Sequence, residues 1–167
     1  ASIKDPVVNQ LFRECQVRIT SIALLHETLH RSHDLSRIKM GDYIRTLTGH
    51  LFRSYGVDPN LISLELNVDD VEFDIDTGLT CGLIIDELVS NCLKHAFGEE
   101  GDGTVHIDLL DHVDGTFTLC VRDDGVGISK DGVRNNPDSL GLELVTLLAE
   151  TLDGGTELRG GAGTEWR

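Results

Sequence analysis

The chain lacks any apolar run long enough to cross a membrane, and its N-terminal residues show no signal-peptide pattern. It also lacks a C-x-x-C pair, because its cysteines stand far apart, at Cys15, Cys81, Cys92 and Cys120. All four fall at apolar positions, so buried, reduced thiols are expected rather than metal ligands or disulfides. These absences favour a soluble cytoplasmic protein, or a fragment of one, that makes no contact with a membrane.

Basic residues are scarce. The chain of 167 residues has 14 Lys and Arg against 29 Asp and Glu, which gives a net charge of −15. This charge argues against binding to nucleic acid or to an anionic membrane. An anionic small ligand would need local cations or a metal ion to offset the negative electrostatic field of the chain. The hydrophobic fraction of 40% is sufficient for a core, so one compact domain with a helical appendage is expected.

Two common nucleotide-binding motifs are missing, since the chain contains neither G-x-x-x-x-G-K-S/T nor a G-x-G-x-x-G that opens a Rossmann unit. Apolar periodicity instead predicts alternating helices and strands. The predicted helices cover about residues 6–30, 40–55, 79–96 and 139–152, and the predicted strands lie at 62–66, 71–73, 105–109, 117–121, 156–158 and 165–167. This order predicts an α+β fold, a two-layer α/β sandwich in which helices cover one face of a mixed, mostly antiparallel sheet.

The first predicted helix is long and amphipathic. Its apolar seam has heptad spacing and consists of Val8, Phe12, Cys15, Ile19, Ile22, His26 and Leu29. Such a seam calls for a partner helix, which is expected to be missing here or supplied by a second chain. Residues 26–30 (His-Glu-Thr-Leu-His) also match the zinc-protease pattern H-E-x-x-H, and His33 follows one turn later. Because His26 lies on the seam, a structural helix with partly exposed histidines is preferred to a zinc site.

The buried helix over residues 79–96 carries an unusual polar face. Glu87, Asn91, Lys94 and His95 stand at i, i+4, i+7 and i+8, which places them on one side of an α-helix. Four polar groups on a buried helix are costly unless they meet each other or a ligand. A carboxylate, an amide, an ammonium and an imidazole together suit a metal-bound anion. A polar strip that satisfies itself at the helix edge is the alternative interpretation.

Three glycine-rich clusters follow this helix. Asp123 ends a strand and precedes Gly125 and Gly127, and a carboxylate there could accept a hydrogen bond from an exocyclic amine. Gly141 opens a helix, where unbonded N–H groups favour phosphate oxygens. The last cluster, residues 161–164, precedes the final strand. Taken singly, each cluster is better explained as an ordinary turn or, at Gly141, as a flexible entry to the helix. Together with the polar helix, the clusters converge on a ligand site.

These segments resemble the motifs of a known family. Residues 87–97 (Glu-Leu-Val-Ser-Asn-Cys-Leu-Lys-His-Ala-Phe), 123–127 (Asp-Asp-Gly-Val-Gly), 139–142 (Ser-Leu-Gly-Leu) and 161–164 (Gly-Ala-Gly-Thr) resemble the asparagine box and the three glycine boxes of sensor histidine kinases. The resemblance implies the Bergerat-type ATPase fold, shared with gyrase and Hsp90, for residues 39–167. Residues 1–38 resemble the second helix of the dimerisation and phosphotransfer region with its linker.

The resemblance also implies ATP and Mg²⁺ as cofactors and assigns roles to residues. Asn91 matches the Mg²⁺ ligand, Glu87 the catalytic acidic residue near that metal, and Asp123 the reader of the adenine amino group. The other implied nucleotide-binding residues are Lys94, His95, Gly125, Gly127, Lys130, Arg134, Ser139, Gly141, Leu142, Gly163 and Thr164. The segment between Gly127 and Ser139 corresponds to a lid over the nucleotide, in which Asn135 and Asn136 are further candidate phosphate contacts.

The family's phosphoacceptor box, His-Arg-x-Lys-Asn-Asn in this bacterial subfamily, does not occur in the chain, and none of its histidines is assigned that role. The chain is therefore expected to bind ATP or ADP without phosphorylating itself. In a full-length, homodimeric kinase the domain would phosphorylate a histidine for relay to an aspartate of a response-regulator receiver domain. An anti-sigma-type serine kinase and a non-catalytic nucleotide-binding or dimerisation module are the alternatives, and the heptad helix disfavours the first.

Overall fold

The computed structural model describes residues 36–98, 101–127 and 139–167, together with the isolated positions 19 and 23. The predicted first helix, its H-E-x-x-H pattern and most of the predicted lid lie outside the described residues. The helices are α1 (Met40–Ser54), α2 (Ile75–Asn91), which continues as a π-helical turn (Cys92–Ala96), and α3 (Ser139–Thr151). The strands are β1 (Arg37–Lys39), β2 (Ile62–Val68), β3 (Glu72–Asp74), β4 (Gly103–Asp111), β5 (Phe117–Asp123), β6 (Leu158–Gly161) and β7 (Gly163–Trp166).

A five-stranded sheet with the order β2-β4-β5-β7-β6 forms the base of the fold. The β2–β4 pair is parallel, and the other three pairs are antiparallel. The predicted hairpin is confirmed, with Ile107 opposite Val121 and a turn in which Gly115 has a φ of +84°. A mixed, mostly antiparallel sheet was predicted, and the structure has one.

The helices cover one face of this sheet and share its core. Val105, Ile107 and Leu109 on β4 alternate with more exposed residues and are fully buried, which matches the period-two pattern of a strand with one face covered. The largest buried side chain is Tyr43 of α1. Its hydroxyl occupies the space where a Cβ at Gly82 of α2 would lie, so the two helices approach closely. Within the described ranges, no helix has the length and apolar character needed to span a membrane.

The N-terminal end of the described fold differs from the prediction. Residues 1–38 were expected to hold a helix and its linker, but residues 37–39 form β1, which pairs with β3 in a separate two-stranded antiparallel sheet. Ile38 explains the difference, because only 1% of it is exposed and its side chain fills the space beside Gly78 of α2. A single apolar residue with this partner carries no periodic signal in the sequence.

Helix α2 begins earlier than predicted, and its last turn is π-helical rather than α-helical. It begins at Ile75 rather than at residue 79, and Oδ1 of Asp74 caps it by accepting a hydrogen bond from the N–H of Thr77 at 2.9 Å. Its end at Ala96 agrees with the prediction, but the last turn is π-helical. Single π turns within α-helices are rare and are frequent at functional sites.

Candidate functional site

A cavity of about 170 Å³ lies between the C-terminal end of α2, the end of β5, the start of α3 and β7. It brings together six residues predicted for the site, which are separated by up to 73 positions in the chain. The lining residues are Leu88, Asn91, Cys92, His95, Ala96, Val121, Asp123, Gly127, Leu142, Thr164 and Trp166. The cavity therefore has an apolar wall and a small set of polar groups, the usual composition of a small-molecule site.

Asp123 is the most constrained polar group of the cavity. It is the last residue of β5, stands opposite Thr164 of β7 and is 7% exposed. Its Oδ1 accepts hydrogen bonds from the backbone N–H groups of Gly125 (3.1 Å) and Thr164 (3.3 Å). Because both donors belong to the backbone of the sheet and its adjoining loop, the fold itself holds this buried carboxylate in place.

The other carboxylate oxygen, Oδ2, accepts a hydrogen bond from the thiol of Cys92 at 3.5 Å. Burial, and secondarily the charge of Asp123, raise the pKa of the Cys92 thiol well above its usual range, so the thiol stays protonated and acts as a donor. The expectation of a buried, reduced thiol is confirmed for Cys81, Cys92 and Cys120. The contact with Asp123 was not predicted, because the two residues are 31 positions apart and no local pattern links them.

Glycines allow the loop after β5 to pack against the end of α2. A Cβ at Gly125 would overlap the carbonyl oxygen of Ala96, and the next N–H, of Val126, donates to that same oxygen at 3.0 Å. Gly127 and Gly163 have φ values of +73° and +93°, which only glycine adopts without strain. Gly125 and Gly163 thus support the position of Asp123, although they do not line the cavity themselves.

Glu87 and Gly141 meet at the start of α3. A Cβ at Gly141 would overlap Oε1 of Glu87, so the carboxylate lies directly against the first turn of α3. Glu87 stands one turn before Asn91 on α2, and the contact places a negative charge where the N–H groups and the dipole of a helix N-terminus favour it. The prediction that Glu87, Asn91 and the helix start at Gly141 lie in one region agrees with this arrangement.

The π turn separates two residues that were predicted to share a face. His95 lines the cavity together with Asn91, whereas Lys94 is half-buried and does not line it. Each residue of a π turn advances by a smaller angle than in an α-helix, so Lys94 points further from the Asn91 side than its spacing suggests. Lys130, Arg134, Asn135 and Asn136 lie outside the described residues. Ser139 opens α3, but its side chain is not described.

A larger groove, of about 620 Å³, lies between α2, α3 and β5. It shares Leu88 and Trp166 with the cavity, and its floor is apolar, but none of the residues predicted for the site lines it. Among the described ranges, no group of three or more His, Cys, Asp or Glu residues could hold a metal ion. A divalent cation beside Asn91 would therefore need further oxygen ligands, which the phosphates of a nucleotide and water supply.

A mixed sheet covered on one face by helices, with a polar cavity at the strand ends, defines a two-layer ATP-binding fold of the type predicted. The chain belongs to the histidine kinase-, DNA gyrase B- and HSP90-like ATPase family, whose model matches residues 78–166, just over half of its length. Residues 1–55 match a second model, described as histidine kinase. This second match favours the predicted histidine kinase over the anti-sigma-type serine kinase.

Two curated relatives are named as histidine kinases. The chain is 33% identical over 106 residues to blue-light-activated histidine kinase 2 of Erythrobacter litoralis, covering 62% of the chain and 30% of that protein. It is 31% identical over 147 residues to the sensor histidine kinase PdtaS of Mycobacterium tuberculosis, covering 85% of the chain and 28% of that protein. The chain therefore spans less than a third of the length of either relative.

A solved structure has the same fold. The histidine kinase domain of the Erythrobacter litoralis EL346 blue-light-activated histidine kinase superposes with a TM-score of 0.79 at 23% identity, covering 92% of this chain and 72% of that one. At this identity the likeness concerns the fold alone, and it supports the predicted arrangement of helices on one face of a mixed sheet.

Proposed function

We propose that residues 39–167 bind ATP or ADP together with Mg²⁺ and form the catalytic domain of a sensor histidine kinase. In the full-length protein this domain transfers the γ-phosphoryl group of ATP to a histidine of a His-Arg-x-Lys-Asn-Asn box, which this chain does not contain. The phosphoryl group then passes to an aspartate of a response-regulator receiver domain. Residues 1–38 belong to the dimerisation and phosphotransfer region of a cytoplasmic homodimeric kinase unit. Membership of the ATPase family and the match of residues 1–55 support this proposal.

The observation that carries the proposal is the buried carboxylate of Asp123 in the wall of the cavity. An ionised carboxylate is an acceptor only, so it suits a ligand edge that presents an N–H, such as the exocyclic amine of adenine. The cavity of about 170 Å³ is smaller than the 300–1,000 Å³ typical of whole ligand sites, so it fits the base rather than the entire nucleotide. Gly127, Leu142 and Thr164 complete the walls around the base.

The phosphates would lie beyond this cavity, on the side of Asn91, Glu87 and the start of α3. The side-chain oxygen of Asn91 is a hard ligand of the kind Mg²⁺ prefers, and the bound ion supplies positive charge that neutralises the phosphates. Glu87 is proposed to act near that metal, and Gly141 is proposed to offer backbone N–H groups to phosphate oxygens. Further proposed contacts are Lys94 and His95 on α2, Lys130 and Arg134 of the lid, and Ser139 at the start of α3.

The test is a calorimetric titration of the 167-residue chain with ATP and ADP, with and without Mg²⁺. We expect Mg²⁺ to strengthen binding, and we expect Asp123→Asn to weaken it at least about tenfold, because an amide N–H would face the amine of the base. The matched control is Asp108→Asn. Asp108 lies on the neighbouring strand β4 and accepts a hydrogen bond from Asn67 at 3.0 Å on the other face of the sheet.

An unchanged affinity for ATP in Asp123→Asn would show that Asp123 does not take part in binding. Equal losses of affinity in Asp123→Asn and Asp108→Asn would indicate a general effect on the sheet. The kinase activity requires a separate assay, in which the phosphoacceptor helix of a full-length homodimer is present and labelled phosphohistidine is measured. A full-length protein that binds Mg²⁺ and ATP yet forms no phosphohistidine would instead be the non-catalytic module.

A further inference from the structure

We propose that Cys92 is a positioning residue that sets the preference of the site for an amino-bearing purine, by holding the Asp123 carboxylate so that one acceptor position of Oδ2 faces the ligand. This inference rests on the proposed nucleotide-binding function. Cys92 lies within the quoted asparagine box, but the resemblance assigns it no role, and the sequence alone placed it at an apolar position of the core.

The argument begins with the acceptor positions of the carboxylate. An ionised carboxylate offers about four of them, two on each oxygen. The N–H groups of Gly125 and Thr164 take both positions on Oδ1, at 3.1 and 3.3 Å. The thiol of Cys92 takes one on Oδ2. Among the contacts of the described residues, one position on Oδ2 is then left for a ligand.

The direction of the Cys92 hydrogen bond follows from the chemistry of its partner. A carboxylate that is ionised has no proton to give, so the hydrogen between Sγ and Oδ2 belongs to the thiol. Cys92 is 8% exposed and Asp123 is 7% exposed, so water competes little for this contact. Both residues line the cavity. The thiol therefore restrains Oδ2 at the surface where the ligand edge arrives.

The weakness of a sulfur donor matters for recognition. The hydrogen bond from the Cys92 thiol to Oδ2 of Asp123, with Sγ and Oδ2 3.5 Å apart, restrains the rotation of the carboxylate. Because a thiol is a weak donor, Oδ2 remains a strong acceptor. An amine N–H of the ligand can therefore donate to Oδ2 of Asp123, which is held in position and remains a strong hydrogen-bond acceptor. A purine with a carbonyl at the same edge would place one acceptor against another, and a purine without a substituent there would leave the position of Oδ2 unfilled.

The test compares two ligands on the full 167-residue chain in the presence of Mg²⁺, namely ATP and purine riboside triphosphate, which lacks the exocyclic amine. For Cys92→Ala we expect the affinity for ATP to fall about tenfold, while the affinity for the amine-free analogue changes less than about twofold. For Cys92→Ser, which keeps a donor, we expect a preference for ATP close to that of the parent. Cys92→Val, which keeps the volume without the donor, should behave like Cys92→Ala.

The matched control is Cys81→Ala, the same change on the same helix at a thiol that does not line the cavity. It should leave the ratio of the two affinities unchanged. Equal losses for both ligands in Cys92→Ala and Cys92→Val would show that Cys92 acts by packing alone and would overturn the proposal, as would an unchanged affinity for ATP. A parent chain that binds neither ligand would instead refute the proposed function, on which the inference depends.

Discussion

At the start of α3, Gly141 leaves room for the carboxylate of Glu87, and no other residue type would do so. A Cβ at Gly141 would overlap Oε1 of Glu87, and Gly141 itself is buried. The glycine therefore serves a close approach between two helices rather than a special backbone angle. This contact links the polar face of α2 to the helix start proposed to bind phosphate.

Gly141→Ala should destabilise the fold by about 1 kcal/mol, because the added methyl group forces the carboxylate end of Glu87 out of its contact with the first turn of α3. Glu87→Ala removes the overlap, so the double variant should lose less than the sum of the two single variants. Urea unfolding of the four proteins of this cycle measures the coupling. Additive losses would contradict the close contact.

Gly49→Ala is the matched control for this prediction. Gly49 lies inside α1, and a Cβ there would meet only the Arg53 guanidinium at an ordinary 3.5 Å. The same substitution should therefore stabilise the protein by about 0.5–1 kcal/mol, since alanine restricts the unfolded chain and favours the helix. If the free energy of unfolding falls in Gly141→Ala and rises in Gly49→Ala, the loss at Gly141 comes from its contact with Glu87 and not from the replacement of a glycine as such.

Single residues of the site were predictable where a local pattern marked them. Asn91, His95, Asp123 and Thr164 were each identified beside a helix face or a glycine cluster, and the structure brings all four to one cavity. Their roles toward ATP remain predictions. Cys92 was missed, because what distinguishes it is a contact with a residue 31 positions away.

At the scale of single elements, the start of α2 offers a test of stability against pH. The N–H of Thr77 donates to Oδ1 of Asp74 and lowers the pKa of that carboxyl group below its ordinary value of 3.8. A lowered pKa in the folded state means that the ionised cap stabilises the fold above about pH 4. This contribution is lost as the pH falls through the folded pKa.

Asp74→Ala should cost about 1 kcal/mol of the free energy of unfolding at neutral pH, as is typical of an N-cap. The difference between the parent and this variant should begin to shrink below about pH 3.8 and should vanish as the pH falls through the lower pKa of the folded state, where the cap is protonated. Asp74→Asn is the control, because it retains an acceptor but does not titrate. Urea unfolding at about pH 7 and about pH 3 measures both differences. A difference that grows on acidification would contradict the assigned cap.

Elements with a repeated pattern were predicted well, and those without one were not. The β4–β5 hairpin alternates apolar and polar residues around a turn and is confirmed, as are α1 and α3. Strand β1 has three residues and a single buried one, so its pairing with β3 was not predicted. The π turn of residues 92–96 was also missed, since it leaves the apolar spacing of the helix almost unchanged.

For the molecule as a whole, the net charge of −15 sets the field in which an anionic ligand binds. Without Mg²⁺, ATP should bind more tightly as ionic strength rises from about 0.02 M to about 0.2 M, by at least about twofold, because salt screens the repulsion. Adenosine, which carries no charge, is the control and should show no such change. Titrations at both ionic strengths provide the measurement.

If ATP instead bound more weakly at higher salt, local cations such as Lys94, Lys130 and Arg134 would outweigh the general field. With Mg²⁺ present the effect should be smaller, since the ion cancels part of the phosphate charge before binding. The comparison therefore separates the field of the whole molecule from the charges beside the ligand.

The sequence by itself determined the type and order of the elements that carry a repeated pattern, and the positions of the glycines around the site, because periodicity and turn chemistry are local properties of the chain. Only the tertiary structure decided which distant residues meet. The β5–β7 register places Thr164 opposite Asp123, and the packing of α2 brings Cys92 to the same carboxylate. Such contacts follow from the burial of the whole core, which no local pattern encodes.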